Sequence, residues 1–225
     1  MKKSSANSGI VARRIVVVFL VVTALALSVT MAIRLSNKNA VRQLPEALVE
    51  YLMWEPQQLT QFTLSDFDEQ VLDLGHLKGK WTFLFFGYTF CPDVCPVTMS
   101  NLGAVFKKLE GQGTSMSGLQ GLFISVDPAR DTPEVLKQYV QFFDQRFMGA
   151  TGTKAQLDAF TRQVGALYFV DKETADENYQ VGHNSSLFLI DPQARLYARF
   201  SMPHEPQEIS DAFTQIKQFY VQSEH

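Results

Sequence analysis

Nineteen consecutive residues, Ile15 to Ile33 ("IVVVFLVVTALALSVTMAI"), carry no charge. That run constrains the chain before any other residue is read, because a helix crossing the hydrocarbon core of a membrane needs about 20 apolar residues. Lys2, Lys3, Arg13 and Arg14 precede it, which favours a cytoplasmic N-terminus, although Arg34, Lys38 and Arg42 follow and weaken the asymmetry. Ala24-Leu25-Ala26 resembles a signal cleavage site, but the apolar run continues past it, so an uncleaved anchor is preferred. The Arg13-Arg14 pair lacks the rest of a twin-arginine signal. Both readings send the remaining chain out of the cytoplasm. The expected organisation is a cytoplasmic N-terminus over 1–14, a transmembrane anchor over 15–33, a linker over 34–58 and a folded domain over 59–225.

Residues 1–42 hold seven of the 20 Lys/Arg and none of the 23 Asp/Glu, so residues 43–225 carry a formal charge of −10. An acidic exported domain is a poor match for nucleic acid, whose phosphates it repels. With 46% hydrophobic residues the chain can build a sizeable core, so a disulfide is not needed to rescue stability.

The domain reads as α/β. "QFTLSDFDEQVLDL" alternates loosely and suggests a hairpin, and "GHLKGK" a turn. "WTFLFFGY" (81–88) and "LQGLFISVD" (119–127) are continuous apolar runs of strand length, as buried strands require. A helix is expected over 97–111, ended by Gly111. Thr132-Pro133-Glu134 marks the start of another, and Thr153 the start of a third. "SLFLIDPQARLYARF" (186–200) reads as two strands joined at Asp191-Pro192, and "EPQEISDAFTQIKQFY" as a closing amphipathic helix. Strand, helix, strand, helix, helix, strand, strand, helix is the order of a thioredoxin-like domain, with parallel strands early and an antiparallel hairpin at the edge.

The only two cysteines stand in "CPDVCP", at the end of the first buried strand. In an open α/β sheet that end is where sites form. Pro92 and Pro96 keep Cys91 and Cys95 out of the α region. Pro96 suits a first helical position, which sets Cys95 at a helix N-terminus where free N–H groups favour a thiolate. The expectation is two low-pKa sulfurs on one exposed turn. They can serve as metal ligands or as a redox pair, and the spacing alone leaves both open. Two thiolates leave a metal underligated except in two-coordinate Cu(I), so a third ligand is worth seeking.

Four histidines are available. His76 lies in a polar turn and His204 in a loop, and both read as surface residues; His225, the last residue of the sequence, is expected to be disordered and lies outside the residues described below. His183, in "NYQVGHNSSLFLIDP", directly precedes a strand, and in a thioredoxin-like fold that loop faces the dithiol. Two soft thiolates and one imidazole suit Cu(I), Cu(II) or Zn(II). Structural zinc usually takes four ligands, and copper tolerates three. Oxidation of the pair would abolish metal binding, which links the two chemistries. Met99 reads as core rather than thioether ligand.

These residues resemble the Sco/SenC family of copper-handling assembly proteins. The likeness rests on "FFGYTFCPDVCPVTMSNL" (85–102), "SVDPARDTPEVLKQYV" (125–140) and "NYQVGHNSSLFLIDP" (178–192), and with the element order it covers most of residues 60–220. It implies a thioredoxin-like fold and a copper site made by Cys91, Cys95 and His183. It further implies copper delivery to the binuclear centre of cytochrome c oxidase subunit II, or reduction of that centre's cysteines. Other copper chaperones and thioredoxin-like reductants are the further partners implied. The anchor matches the family pattern and places the domain on the periplasmic or extracytoplasmic side of the inner (cytoplasmic) membrane. Thioredoxins carry a cis-proline before the strand facing the dithiol; here His183 stands there, with no proline between Val181 and Ile190, which favours metal binding over general disulfide exchange. Asp93 is expected to tune the site or to hydrogen-bond the turn. Asp127, ending a strand near the same face, is expected to support it from behind.

The leading expectation is a membrane-anchored copper metallochaperone, a transfer protein rather than a turnover enzyme. The alternative is a thiol:disulfide oxidoreductase that needs Cys91 and Cys95 but not His183. Peroxide reduction fits less well, because Thr89 lies two residues before Cys91 instead of three.

Overall fold

The structure, a computed structural model, describes residues 6–38, 44–170 and 179–223. The chain divides into two compact units, 1–43 and 44–225. In the first, α1 (Ala6–Lys38) is a continuous helix, and its Arg13–Met31 stretch is long and apolar enough to cross a membrane.

The second unit begins at Leu44, which moves the domain boundary. Part of the stretch expected to be a linker is a strand, β1 (Leu52–Gln58), and it pairs within the sheet. β2 (Thr63–Asp66) and β3 (Val71–Asp73) form the expected hairpin. Instead of a plain turn, Leu74–Leu77 makes a one-turn helix, α2, capped by Asp73 and closed by His76. β4 (Trp81–Gly87) is buried at every position. α3 runs Val94–Gly111, three residues earlier than the 97–111 expected, so Cys95 lies inside its first turn.

β5 (Leu119–Ser125) follows, then α4 (Pro133–Phe143), opened as expected by Thr132 and Pro133. Thr132 accepts from the Val135 N–H, a cap worth about 1 kcal/mol. β6 (Phe147–Thr151) was not legible: it is five residues long, with a glycine in the middle. α5 (Lys154–Val164) carries a Thr153–Gln156 capping box and ends at Gly165, whose φ of 69° suits glycine. β7 (Tyr168–Val170) and β8 (Val181–His183) make a separate two-stranded ribbon. β9 (Leu187–Ile190) and β10 (Arg195–Phe200) form the expected hairpin at Asp191-Pro192, and α6 (Pro206–Ser223) follows.

The main sheet has the order β1-β10-β9-β4-β5-β6-β2-β3. β4, β5 and β6 are parallel, and every other pairing is antiparallel. This is the thioredoxin-like α/β arrangement. β4 is central, so both its faces need apolar cover. Phe83 meets Phe106 of α3 and Phe213 of α6. On the opposite face Phe86 meets Phe160 of α5. Helices on both faces explain why the strand reads as an unbroken apolar run. Met99 is core, as expected.

His204 departs from the surface reading: it is 3% exposed. Its Nδ1 lies 3.2 Å from the Thr98 hydroxyl and its Nε2 lies 3.3 Å from the Phe200 carbonyl. Both ring nitrogens find partners, which is what allows the imidazole to be buried.

Candidate metal centre

The centre forms where β4 ends and α3 begins. After Gly87 the chain turns through Tyr88 and Thr89, the Cys91 N–H donates to the Tyr88 carbonyl (3.2 Å), and α3 starts at Val94. Cys91 is half-buried and Cys95 fully buried, both as free thiols. Gly87 makes room for Cys95: a Cβ on Gly87 would stand 2.6 Å from the Cys95 Sγ and 2.9 Å from the Phe123 ring.

His183 arrives from the ribbon, at the end of β8, paired across to Tyr168. The rings of Phe85 and Tyr88 meet its imidazole edge-on, at 5.8 and 5.9 Å. Its Nδ1 lies 3.1 Å from the Asn184 carbonyl. A carbonyl only accepts, so Nδ1 carries a proton and Nε2 is left to face the Cys95 Sγ at 3.2 Å. This is the usual way a second nitrogen is held to orient a ligating histidine.

The structure therefore brings together the three residues singled out from sequence. The Cys91 and Cys95 sulfurs and a His183 ring nitrogen lie within 4.8 Å of one another, and among the described residues no other such group occurs. Bonds of roughly 2.0–2.3 Å from one ion to nitrogen and sulfur bring three ligand atoms within about 4 Å, so the donors fit a single ion after a small contraction. A hollow of about 250 Å³, lined by Tyr88, Cys91, Asp93 and His183, opens the group to solvent.

The two sulfurs differ, which corrects the expectation of two low-pKa thiols. The Cys91 thiol is pulled down to about 3, first by a hydrogen bond from Cys95, with the backbone N–H groups of Asp93 and Cys95 adding to it. Cys95 is pushed up by the same hydrogen bond and by burial. One thiolate at the surface is thus stabilised by one buried thiol that keeps its proton.

The supporting acids also sort differently. Asp93 is exposed and precedes α3 without a side-chain cap bond; what reaches Cys91 is its backbone N–H. Asp127 is buried, accepting from the Tyr179 hydroxyl and from Arg130 Nε, both at 2.5 Å. It steadies the segment that leads to His183 instead of touching a ligand. The residue missed from sequence is Asp131, 1% exposed. Its carboxylate accepts from the Thr89 N–H (2.9 Å), the Thr89 hydroxyl (2.6 Å) and the Ser125 hydroxyl (2.5 Å). It pins the start of the cysteine loop to the end of β5, and burial pushes its pKa up. Asp131 stood inside a stretch already noticed, but its partner Thr89 is 42 residues away, and no local pattern reports such a pairing.

The SCO1/SenC family model matches residues 55–218. A protein of Stutzerimonas stutzeri is 34% identical over 179 residues, covering 80% of this chain and 85% of its own length. The mitochondrial SCO2 homolog of Bos taurus is 32% identical over 151 residues, covering 67% of this chain; the chain spans 56% of that relative's length. Among solved structures, Arabidopsis thaliana ScoI with copper bound superposes with a TM-score of 0.65 at 29% identity, over 72% of this chain and 98% of that one.

Proposed function

The chain belongs to the SCO1/SenC family, and on that premise we propose that it is a membrane-anchored copper metallochaperone serving cytochrome c oxidase assembly. Its acceptor in this reading is the binuclear copper site of subunit II. α1 is the anchor, and the domain lies on the periplasmic side of the inner membrane, where other copper chaperones and thioredoxin-like reductants can reach it. The observation that carries the reading is the convergence of Cys91, Cys95 and His183 within 4.8 Å.

Cys91 is already a thiolate and binds first, and Cys95 gives up its proton as copper arrives, because only the thiolate ligates. His183 Nε2 completes a three-coordinate site suited to Cu(I). Transfer is an exchange of ligands: the acceptor's thiolates replace Cys91, Cys95 and His183 one at a time, and the ion keeps its oxidation state. The test is a Cu(I) competition titration of the reduced protein beside His183→Ala. One tightly held copper, weakened at least 10-fold in the variant, supports the reading; equal affinity sinks the ligand assignment.

A second reading is favoured by the asymmetry of the two sulfurs. A half-buried thiolate beside a fully buried thiol is also the arrangement of a dithiol reductant. Cys91 would attack a partner's disulfide, Cys95 would resolve the mixed disulfide, and the partner would leave as a dithiol while Cys91 and Cys95 become oxidised. His183→Ala should be silent in that assay.

A further inference from the structure

An open groove of about 490 Å³ lies between α4 and the Thr89–Phe90 turn, floored by Val135, Tyr139 and Phe143 and flanked by Phe90 and Phe142. Phe142 is 83% exposed and Phe90 is 57% exposed. Apolar area left in water is unfavourable, and neither ring offsets that cost inside the core. The rings are held in place nonetheless. Phe142 meets Phe143 edge-on at 5.2 Å, Phe143 meets Tyr139 at 5.2 Å, and Tyr139 rests on Phe123 at 5.3 Å. The Arg130 guanidinium backs Phe90 at 5.1 Å. Exposed aromatics fixed on a packed base are what protein-binding surfaces use as anchors.

Position and charge say what binds there. Phe90 immediately precedes Cys91, so the groove begins one residue from the half-buried Cys91 sulfur. Glu134 is exposed at the groove's edge and accepts from Gln138, which lines the groove, at 3.2 Å, while the Arg130 charge behind Phe90 is paired with Asp127. Residues 43–225 carry a net −10. A second copy of this chain would bring the same negative charge, and an anionic bilayer would be repelled. We propose that this groove docks the copper-accepting protein, through an apolar side chain flanked by lysine or arginine. The inference rests on the chaperone reading above.

The experiment loads the full chain with Cu(I) in lipid nanodiscs and follows copper transfer to the reduced copper-binding domain of oxidase subunit II. Beside it runs withdrawal by a small-molecule Cu(I) chelator, which needs no docking. Phe142→Ala and Glu134→Lys, both at exposed positions outside the copper ligands, should slow transfer to the protein about 10-fold and leave withdrawal by the chelator unchanged. Variants that load the acceptor at the wild-type rate overturn the docking surface and leave the chaperone reading standing. A wild-type chain that does not load the acceptor overturns both. Phe142→Trp distinguishes the occupants: an emission blue shift on adding acceptor supports the proposal. A shift already present in the nanodisc, or one that grows with the concentration of this chain alone, assigns the groove to lipid or to a second copy and overturns it.

Discussion

Nε2 of His183 lies 3.2 Å from Sγ of Cys95, across 88 residues of sequence, and joins the two-stranded ribbon to the first turn of α3. A metal held by both residues would cross-link those elements. Binding to the folded state stabilises it by RT ln(1 + [L]/Kd), about 2.7 kcal/mol at 100-fold excess over Kd. Hydrogen exchange at β7 and β8 should therefore slow when Cu(I) is added. In His183→Ala the ribbon should lose that protection while α3 keeps part of its own. Equal protection of the ribbon in both proteins would show that His183 does not hold the ion.

Cys91 should behave as a thiolate across the ordinary pH range, since its thiol is pulled down to about 3 chiefly by the hydrogen bond from Cys95. An ordinary cysteine, with a pKa near 8.5, alkylates faster as pH rises from 5 to 8. Cys91 should alkylate at a nearly constant rate over that range. Cys95→Ala removes the main donor and should restore a rising pH profile. A steep profile in the wild type would contradict the thiolate assignment.

Much of this arrangement was legible in the sequence because its parts are local. The unbroken apolar run of β4 betrays a strand covered on both faces, Thr132-Pro133 betrays a helix start, and "CPDVCP" at a strand end betrays a site. The parts that were missed depend on distant partners. β1 shows no clear pattern, since only Leu52 is buried along it; its pairing with β10 makes it a strand. His204, a loop residue, looked like a surface one because Thr98, 106 residues earlier, supplies one of its two partners. Cys95 and Cys91 share one residue type and one motif, and their hydrogen bond together with the deeper burial of Cys95 makes one a proton donor to the other.

Gly87→Ala should damage the centre directly. The added Cβ would meet the Cys95 Sγ at 2.6 Å and the Phe123 ring at 2.9 Å, and both neighbours are packed in the core. Overpacking of this kind costs about 1–3 kcal/mol. The expected result is a Tm lowered by several degrees together with weaker Cu(I) binding. Gly118→Ala, whose Cβ meets nothing within 4 Å, is the control. Unchanged copper affinity in Gly87→Ala would mean the sulfur can move without consequence.

Asp131→Asn should loosen the cysteine loop. The carboxylate accepts three hydrogen bonds, two of them from Thr89. An amide offers one acceptor oxygen and no charge, so the charge-assisted bonds from Thr89 and Ser125 are weakened or rearranged, at a cost of about 1 kcal/mol. Thermal unfolding should show that loss. Thr89→Val in the same background should cost less than it does alone, because both changes act on the same hydroxyl–carboxylate contact; full additivity of the two changes would deny the coupling.

The buried imidazole of His204 makes stability depend on pH. Burial lowers its pKa below the ordinary value, opposed by the hydrogen bond to the Phe200 carbonyl. The unfolded chain, whose histidine titrates near 6.5, therefore binds a proton that the folded chain resists. The sign follows from linkage: where the unfolded state binds more protons, stability rises with pH. The contribution is complete above about pH 6.5 and is lost as pH falls from there through the lower folded-state value. His204→Gln retains an amide N–H for the Phe200 carbonyl and cannot titrate. Denaturant midpoints measured from pH 7.5 to 5 should fall for the wild type and fall less steeply for the variant. Parallel slopes would place the acid sensitivity in other groups.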